Sequence, residues 1–259
     1  MQNMKEALSQ SELWSLSAEA LHTEKYKKDY VDAIDFVVRD KNLEILDTAG
    51  GTGFPTLDLF NLGYKNISVS DLDEKLVEEL TEKANDMDFK PKFYHSRWQD
   101  LAKNVPKQFD IVLNTDNAFV YMDGWLNGEH VEGVEAVLSR VDNVLKNYFE
   151  ITKKRGMVII GLGKHYSPTA NKSTFNREFS LSKNSQNYKI VWTGDVDWEK
   201  RVQTWTTSIE SESFEGSYVR TSYLLTKDEL VSSLLKVGFR TAHILEPNET
   251  RDNLIVGIK

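Results

Sequence analysis

The chain has no cysteine. That excludes disulfides, thiol nucleophiles and the common structural zinc sites, and it fits a reducing compartment. Proline and glycine are sparse, at 5 and 14 of 259 residues, which argues against a linker-rich or disordered chain. Long apolar runs are missing too. Nothing approaches the roughly 20 residues that a membrane span needs. The polar opening MQNMKEALSQSELW lacks the apolar stretch of a signal peptide. Positive charge is outnumbered, with 32 Lys+Arg against 40 Asp+Glu and a net charge of -8, and such a chain repels phosphate backbones. The expectation is a cytoplasmic protein with neither membrane nor nucleic acid among its partners.

What is present is an alternation of strands and helices. The first forty residues recur apolar side chains near helical spacing, as in Leu13, Leu16 and Ala20, then Tyr30, Ile34 and Val37. Short apolar runs follow at 43–47, 67–71, 92–95, 109–114 and 157–162, with a helical face across 129–151 that Gly156 is expected to cap. Strands alternating with helices imply a parallel, doubly wound sheet. The pattern changes after Pro168. Residues 171–223 are rich in Thr, Trp, Tyr and Phe with period-two alternation, which reads as an inserted antiparallel meander. Thr226, with Glu229 three residues on, opens a further helix ending at Gly238, and runs at 239–245 and 253–258 supply the last two strands.

The chemistry concentrates in Leu46-Asp47-Thr48-Ala49-Gly50-Gly51-Thr52-Gly53, where a strand ends, glycines turn and a helix begins. Glycine there permits positive φ and close backbone approach to a ligand. Open parallel sheets bind ligands beyond the carboxyl ends of their strands. Three ligand classes compete. A phosphate-binding loop requires Gly-Lys-Ser/Thr, but Gly53 is followed by Phe54-Pro55-Thr56. A dinucleotide fingerprint wants Gly or Ala at position 56, where Thr56 stands. S-adenosylmethionine carries no phosphate and has an amino group that an acid such as Asp47 suits. Asp71, ending the second strand, is placed to accept ribose hydroxyls, a role that serves nicotinamide and methionine cofactors alike.

The segment from Asp47 to Gly53 resembles motif I of the class I S-adenosylmethionine-dependent methyltransferases. More narrowly, the chain resembles the glycine N-methyltransferase group, which includes the glycine/sarcosine and dimethylglycine methyltransferases. Ser70-Asp71-Leu72-Asp73 resembles the acidic loop after strand two, Ser96-Arg97-Trp98 the pair flanking adenine, and Asn117-Ala118-Phe119-Val120-Tyr121-Met122 the segment after strand four. The resemblance implies a Rossmann-like α/β fold with a seven-stranded sheet, in one domain. Residues 1–40 would form a helical cap, 41–167 and 224–259 the core, and 168–223 a β-rich lid carrying Arg220-Thr221-Ser222-Tyr223. It implies cofactor contacts from Asp47, Ala49, Gly50, Gly51, Gly53, Asp71, Leu72, Arg97, Trp98, Asn114 and Thr115, with S-adenosylhomocysteine as product.

The departures matter. Tyr121 stands where the group has His. The segment after strand five, Gly161-Leu162-Gly163-Lys164-His165-Tyr166, lacks the Arg that clamps the substrate carboxylate. Near the N-terminus the cofactor-binding Arg has no match, and His22 or Lys25 is its substitute. The expected roles are therefore Asn117, Tyr121 and Tyr223 for orienting the acceptor. Asn117, Lys164, His165, Tyr166 and Arg220 would bind it, with Lys164 or Arg220 holding an acidic group. No metal is expected.

Other residues read two ways. Asp116 either orients substrate or caps the helix that follows, and Trp98 either stacks on adenine or belongs to the core. Trp192, Trp198 and Trp205 read as sheet core rather than a substrate cage, and His95, His130 and His243 show no ligand spacing. The leading reading is N-methylation of an amine or amino acid. O-methylation, with His165 as base, and a non-catalytic cofactor-binding protein are the alternatives. Oligomeric state stays open, a homo-oligomer being one alternative.

Overall fold

The computed structural model describes residues 8–124, 130–164, 172–248 and 250–259. Strands β1 (Ile45–Asp47), β2 (Ile67–Asp71), β3 (Lys92–His95), β4 (Phe109–Asn114) and β5 (Thr152–Gly163) lie parallel in one sheet. Two later strands, β10 (Thr241–Leu245) and β11 (Asp252–Ile258), complete it in the order β10-β11-β5-β4-β1-β2-β3. β11 is antiparallel to both of its neighbours. The inner strands are buried on both faces, which is why they read as apolar runs rather than alternations. The order reverses between β1 and β4, so a crevice opens beyond their carboxyl ends.

Helices cover both faces: α2 (Glu24–Val38), α3 (Thr56–Asn61), α4 (Glu74–Asp86), α5 (Leu101–Asn104), α6 (Val134–Ile151) and α7 (Lys227–Val237). On α6, Val137, Val141, Val144, Leu145, Tyr148 and Ile151 are buried at helical spacing against the sheet. α7 begins with the expected capping box of Thr226 and Glu229 and ends at Gly238, whose φ of 113° suits glycine.

Gly156 does not cap the preceding helix. The chain passes from Ile151 straight into β5 at Thr152, and Gly156 lies inside the strand. A Cβ there would stand 2.7 Å from the Asp110 carbonyl oxygen, so glycine permits close strand approach where the β4–β5 register is irregular. Helix α6 begins at Val134 rather than at the expected Glu129: residues 130–133 are not helical, and Gly133, at φ 88°, takes the N-cap position. Glu129 itself and the expected boundary at Pro168 lie outside the described residues.

Strands β6 (Lys172–Lys183), β7 (Gln186–Asp197), β8 (Val202–Glu210) and β9 (Glu215–Tyr223) form a separate antiparallel sheet. Period two places Ile190, Trp192, Trp205, Ile209 and Tyr218 in one apolar cluster. Helix α1 (Gln10–Leu21) adds Leu13 and Leu16 to that cluster. Ser11 and Ser15 of α1 donate to Asp73, which precedes α4, and to Glu79 of α4. α1 thus bridges the small sheet and the α/β core.

Candidate functional site

Glycine geometry builds the first wall of the site. After β1 the chain turns through Gly51 at φ 47° and Gly53 at φ 114° before α3 begins. The three glycines serve different ends. A Cβ on Gly50 would lie 2.1 Å from Val69 Cγ1, and one on Gly53 2.5 Å from Leu57 Cδ1, so both permit packing. A Cβ on Gly51 would meet only the Ala49 oxygen at 3.9 Å, and Gly51 lines a cavity of about 750 Å³. That volume suits a small-molecule site.

Two carboxylates hold the turn. Asp47 is fully buried; its Oδ1 accepts from Ala49 N at 3.1 Å and its Oδ2 from Thr56 Oγ1 at 2.7 Å. Burial pushes its carboxyl up to about 6, and the nearby charge of Asp71 acts in the same direction. Asp71 Oδ2 accepts from Gly51 N at 2.8 Å, while Oδ1 accepts from Leu72 N and Asp73 N. Burial pushes the Asp71 carboxyl up against these three N–H groups. A carboxylate offers about four acceptor sites, so one is left for a ligand hydroxyl.

The other walls come from strand ends and from α1. Leu72 follows β2; Arg97 and Trp98 follow β3; Thr115, Asp116 and Tyr121 follow β4. Trp98 lines the cavity and also packs parallel to the core residue Phe119 at 6.3 Å. His22, just past α1, lines the cavity with Nε2 2.7 Å from Asp116 Oδ2. Tyr26 donates to the other oxygen of Asp116 at 2.8 Å. Burial pushes Asp116 up, but His22, Arg251 and the Tyr26 hydroxyl outweigh it and hold the carboxyl below its ordinary value. Asp116 is therefore an anchor for α1 and α2 rather than a helix cap.

The structure brings Ala49, Gly51, Asp71, Leu72, Arg97, Trp98, Thr115, Tyr121, His22 and Arg220 to the cavity. Other expected contacts support it from behind. Asp47, Gly50 and Gly53 shape the turn. Asn114 is buried, with Nδ2 donating to Thr48 Oγ1 and the Tyr148 hydroxyl. Asn117 takes φ 57° and its Oδ1 accepts from Gly163 N, tying the segment after β4 to β5. Tyr223 is set back in the core: its hydroxyl donates to Asp123 and accepts from Val131 N. Lys164 is exposed and donates to the Pro247 oxygen, outside the cavity lining. His165 and Tyr166 lie outside the described residues.

Several lining residues carried no sequence signal for a site. Trp14 reads as part of a helical face, and Arg140 and Asn143 as exposed positions of α6. Asp123 follows no strand directly, yet it lines the cavity and lies 3.5 Å from the Arg140 Nε. Among the described residues no cluster of His, Cys, Asp or Glu could hold a metal, and no helix is long and apolar enough to cross a membrane.

No protein-family model matches the chain. A segment of 78 residues is 32% identical to the glycine/sarcosine N-methyltransferase of Aphanothece halophytica, covering 30% of this chain and 29% of that protein's length. Among solved structures, DesVI of Streptomyces venezuelae matches over 98% of this chain and 99% of its own, with TM-score 0.75 and 14% identity. CalS10, an amino pentose methyltransferase from Micromonospora echinaspora, matches over 98% of each chain with TM-score 0.72 and 13% identity. The sugar N-methyltransferase KedS8 from a Streptoalloteichus species matches over 98% of this chain and 94% of its own, with TM-score 0.71 and 13% identity. Strand order, the glycine turn after β1 and these structural matches together identify the fold as that of the class I S-adenosylmethionine-dependent methyltransferases.

Proposed function

We propose that the protein transfers a methyl group from S-adenosylmethionine to an amine of a small molecule. The observation that carries this reading is the Gly51–Asp71 junction at the sheet's reversal point. A side-chain-free turn faces the cavity there, beside a carboxylate with acceptor capacity to spare. Asp71 would hold a ribose hydroxyl, Leu72 and Trp98 would flank the adenine, and Thr115 would border the methionine portion. The cofactor supplies an already electrophilic methyl group. The chain's own part is alignment and exclusion of water, with the amine deprotonated before it enters. Tyr121 and Asp116 stand where an acceptor would lie, and Asn117 supports their segment through Gly163. The small sheet and α1 would act as the lid. The relatives favour nitrogen as acceptor atom: one is a glycine/sarcosine N-methyltransferase, one a sugar N-methyltransferase, and a glycopeptide N-methyltransferase was crystallised with S-adenosylhomocysteine.

One observation favours a hydroxyl acceptor instead. The His22–Asp116 pair places a carboxylate-oriented imidazole in the cavity, an arrangement suited to proton removal. The test is calorimetry with S-adenosylhomocysteine, followed by methyl transfer from labelled cofactor to amines, amino acids and phenols. The expected result is tight product binding and labelled amines. Turnover confined to phenols would replace the amine reading, and no binding at millimolar product would end both.

A further inference from the structure

Arg220 of β9 is 3% exposed and lines the cavity. Its guanidinium carbon lies 4.6 Å from the ring centre of Trp192, 4.8 Å from Trp14, 4.9 Å from Trp205 and 5.7 Å from Tyr121. Its Nε and Nη1 are buried and have no hydrogen-bond partner among the described residues. Two other arginines are placed differently: Arg201 forms a bidentate pair with Glu229, and Arg140, also at the cavity, lies beside Asp123. The π-faces of the rings stabilise the charge of Arg220, but they offer its N–H groups no acceptor in line. A buried cation with unmade hydrogen bonds is costly, and a cavity-facing one is completed by whatever anion enters.

We propose that Arg220 binds a carboxylate of the methyl acceptor, so that the acceptor is an amine bearing an acid group. The inference deepens the methyltransferase reading of the same cavity and rests on it. A planar guanidinium in a ring-lined slot matches a planar anion offering two oxygens, and the fork geometry gives it direction as well as charge. A phosphate has a third charged oxygen to satisfy, and the ring cage supplies no second cation. The aromatic walls also exclude water from the pair, which strengthens it. Lys164, the other basic side chain expected to take this role, is directed to Pro247.

Acetate tests the site without turnover. Trp14, Trp192 and Trp205 ring the guanidinium, so their fluorescence reports its occupancy. Acetate, acetamide and inorganic phosphate are titrated into the protein with and without saturating S-adenosylhomocysteine. Saturable acetate binding is expected, with acetamide and phosphate each at least tenfold weaker. Arg220→Met should lower acetate affinity at least tenfold while product affinity by calorimetry stays within twofold, and Arg220→Lys should fall between. With paired acceptors, an amino acid and its amide, the acid's lower KM should vanish in Arg220→Met. Equal response to acetate and acetamide in the unaltered protein overturns the proposal with no variant needed. Tighter phosphate than acetate, or undiminished acetate affinity in Arg220→Met, does the same. Absence of product binding would strike the methyltransferase reading, while the acetate titration of the free protein still decides the anion site.

Discussion

The backbone N–H of Gly51 donates to the Asp71 carboxylate at 2.8 Å, linking the ends of β1 and β2 across the mouth of the cavity. One side chain thus shapes the turn and lines the cavity. Asp71→Ala removes both functions. It should weaken S-adenosylhomocysteine by about 1–3 kcal/mol, the scale of hydrogen bonds to a charged group. Calorimetry decides it, and unchanged affinity would take Asp71 out of the site.

Neighbouring glycines should fail in different ways. Gly50→Ala drives a methyl group into Val69 and should cost about 1–3 kcal/mol of fold stability, as overpacking does. Gly51→Ala has room, but at φ 47° it carries about 1–2 kcal/mol of left-handed strain and sets its methyl in the cavity. Denaturant melts should single out the first variant. Product titrations, corrected for folding, should single out the second.

Asp47 makes stability depend on acidity. Its folded-state value of about 6 lies above the ordinary 3.8, so the folded protein holds this proton more tightly than the unfolded chain. Well below the ordinary value of 3.8 both states are protonated and nothing is lost. Between pH 4 and 6 the unfolded chain ionises first, and ionisation favours it over the fold by about 3 kcal/mol across that interval. Asp47→Asn should lack this loss. Urea melts of the two proteins at pH 4 and 6.5 should therefore diverge, the unaltered protein losing more; parallel changes would contradict it.

The small sheet is fastened to the core by a fork. Arg201 Nη1 and Nη2 meet Glu229 Oε2 and Oε1 at 2.9 and 2.8 Å, and Glu229 also caps α7 through Thr226. Arg201→Met should cost about 1–3 kcal/mol, and Glu229→Ala more, because it also opens the capping box. Thermal melts rank them, and equal losses would show that the cap contributes nothing. Product affinity should be unchanged in Arg201→Met.

Much of the fold and part of the site were legible in the chain. The strand at 109–114, the capping box at Thr226 and the helix end at Gly238 are local chemistry, and the structure places them as read. The turn from Asp47 to Gly53 was legible for the same reason, since a strand end, positive φ and a helix start are settled within a few residues. Gly156 misled because a helix-ending glycine and a strand glycine at a close crossing look alike until β4 is beside it.

The roles of Arg220 and Tyr223 were not separable by sequence proximity. They stand three apart on β9, so period two sends them to opposite faces, Arg220 to the rings and Tyr223 to the core. The amino-acid sequence by itself determined the layered α/β frame, the antiparallel meander and the acid-ended glycine turn, because each depends on short-range periodicity and backbone freedom. Only the tertiary structure decided which of the cavity's cations sits in a cage of rings. The cage around Arg220 draws Trp14 from α1, Tyr121 from the segment after β4, Trp192 from β7 and Trp205 from β8. Rings so far apart along the chain become neighbours only when burial of both sheets and α1 brings them together.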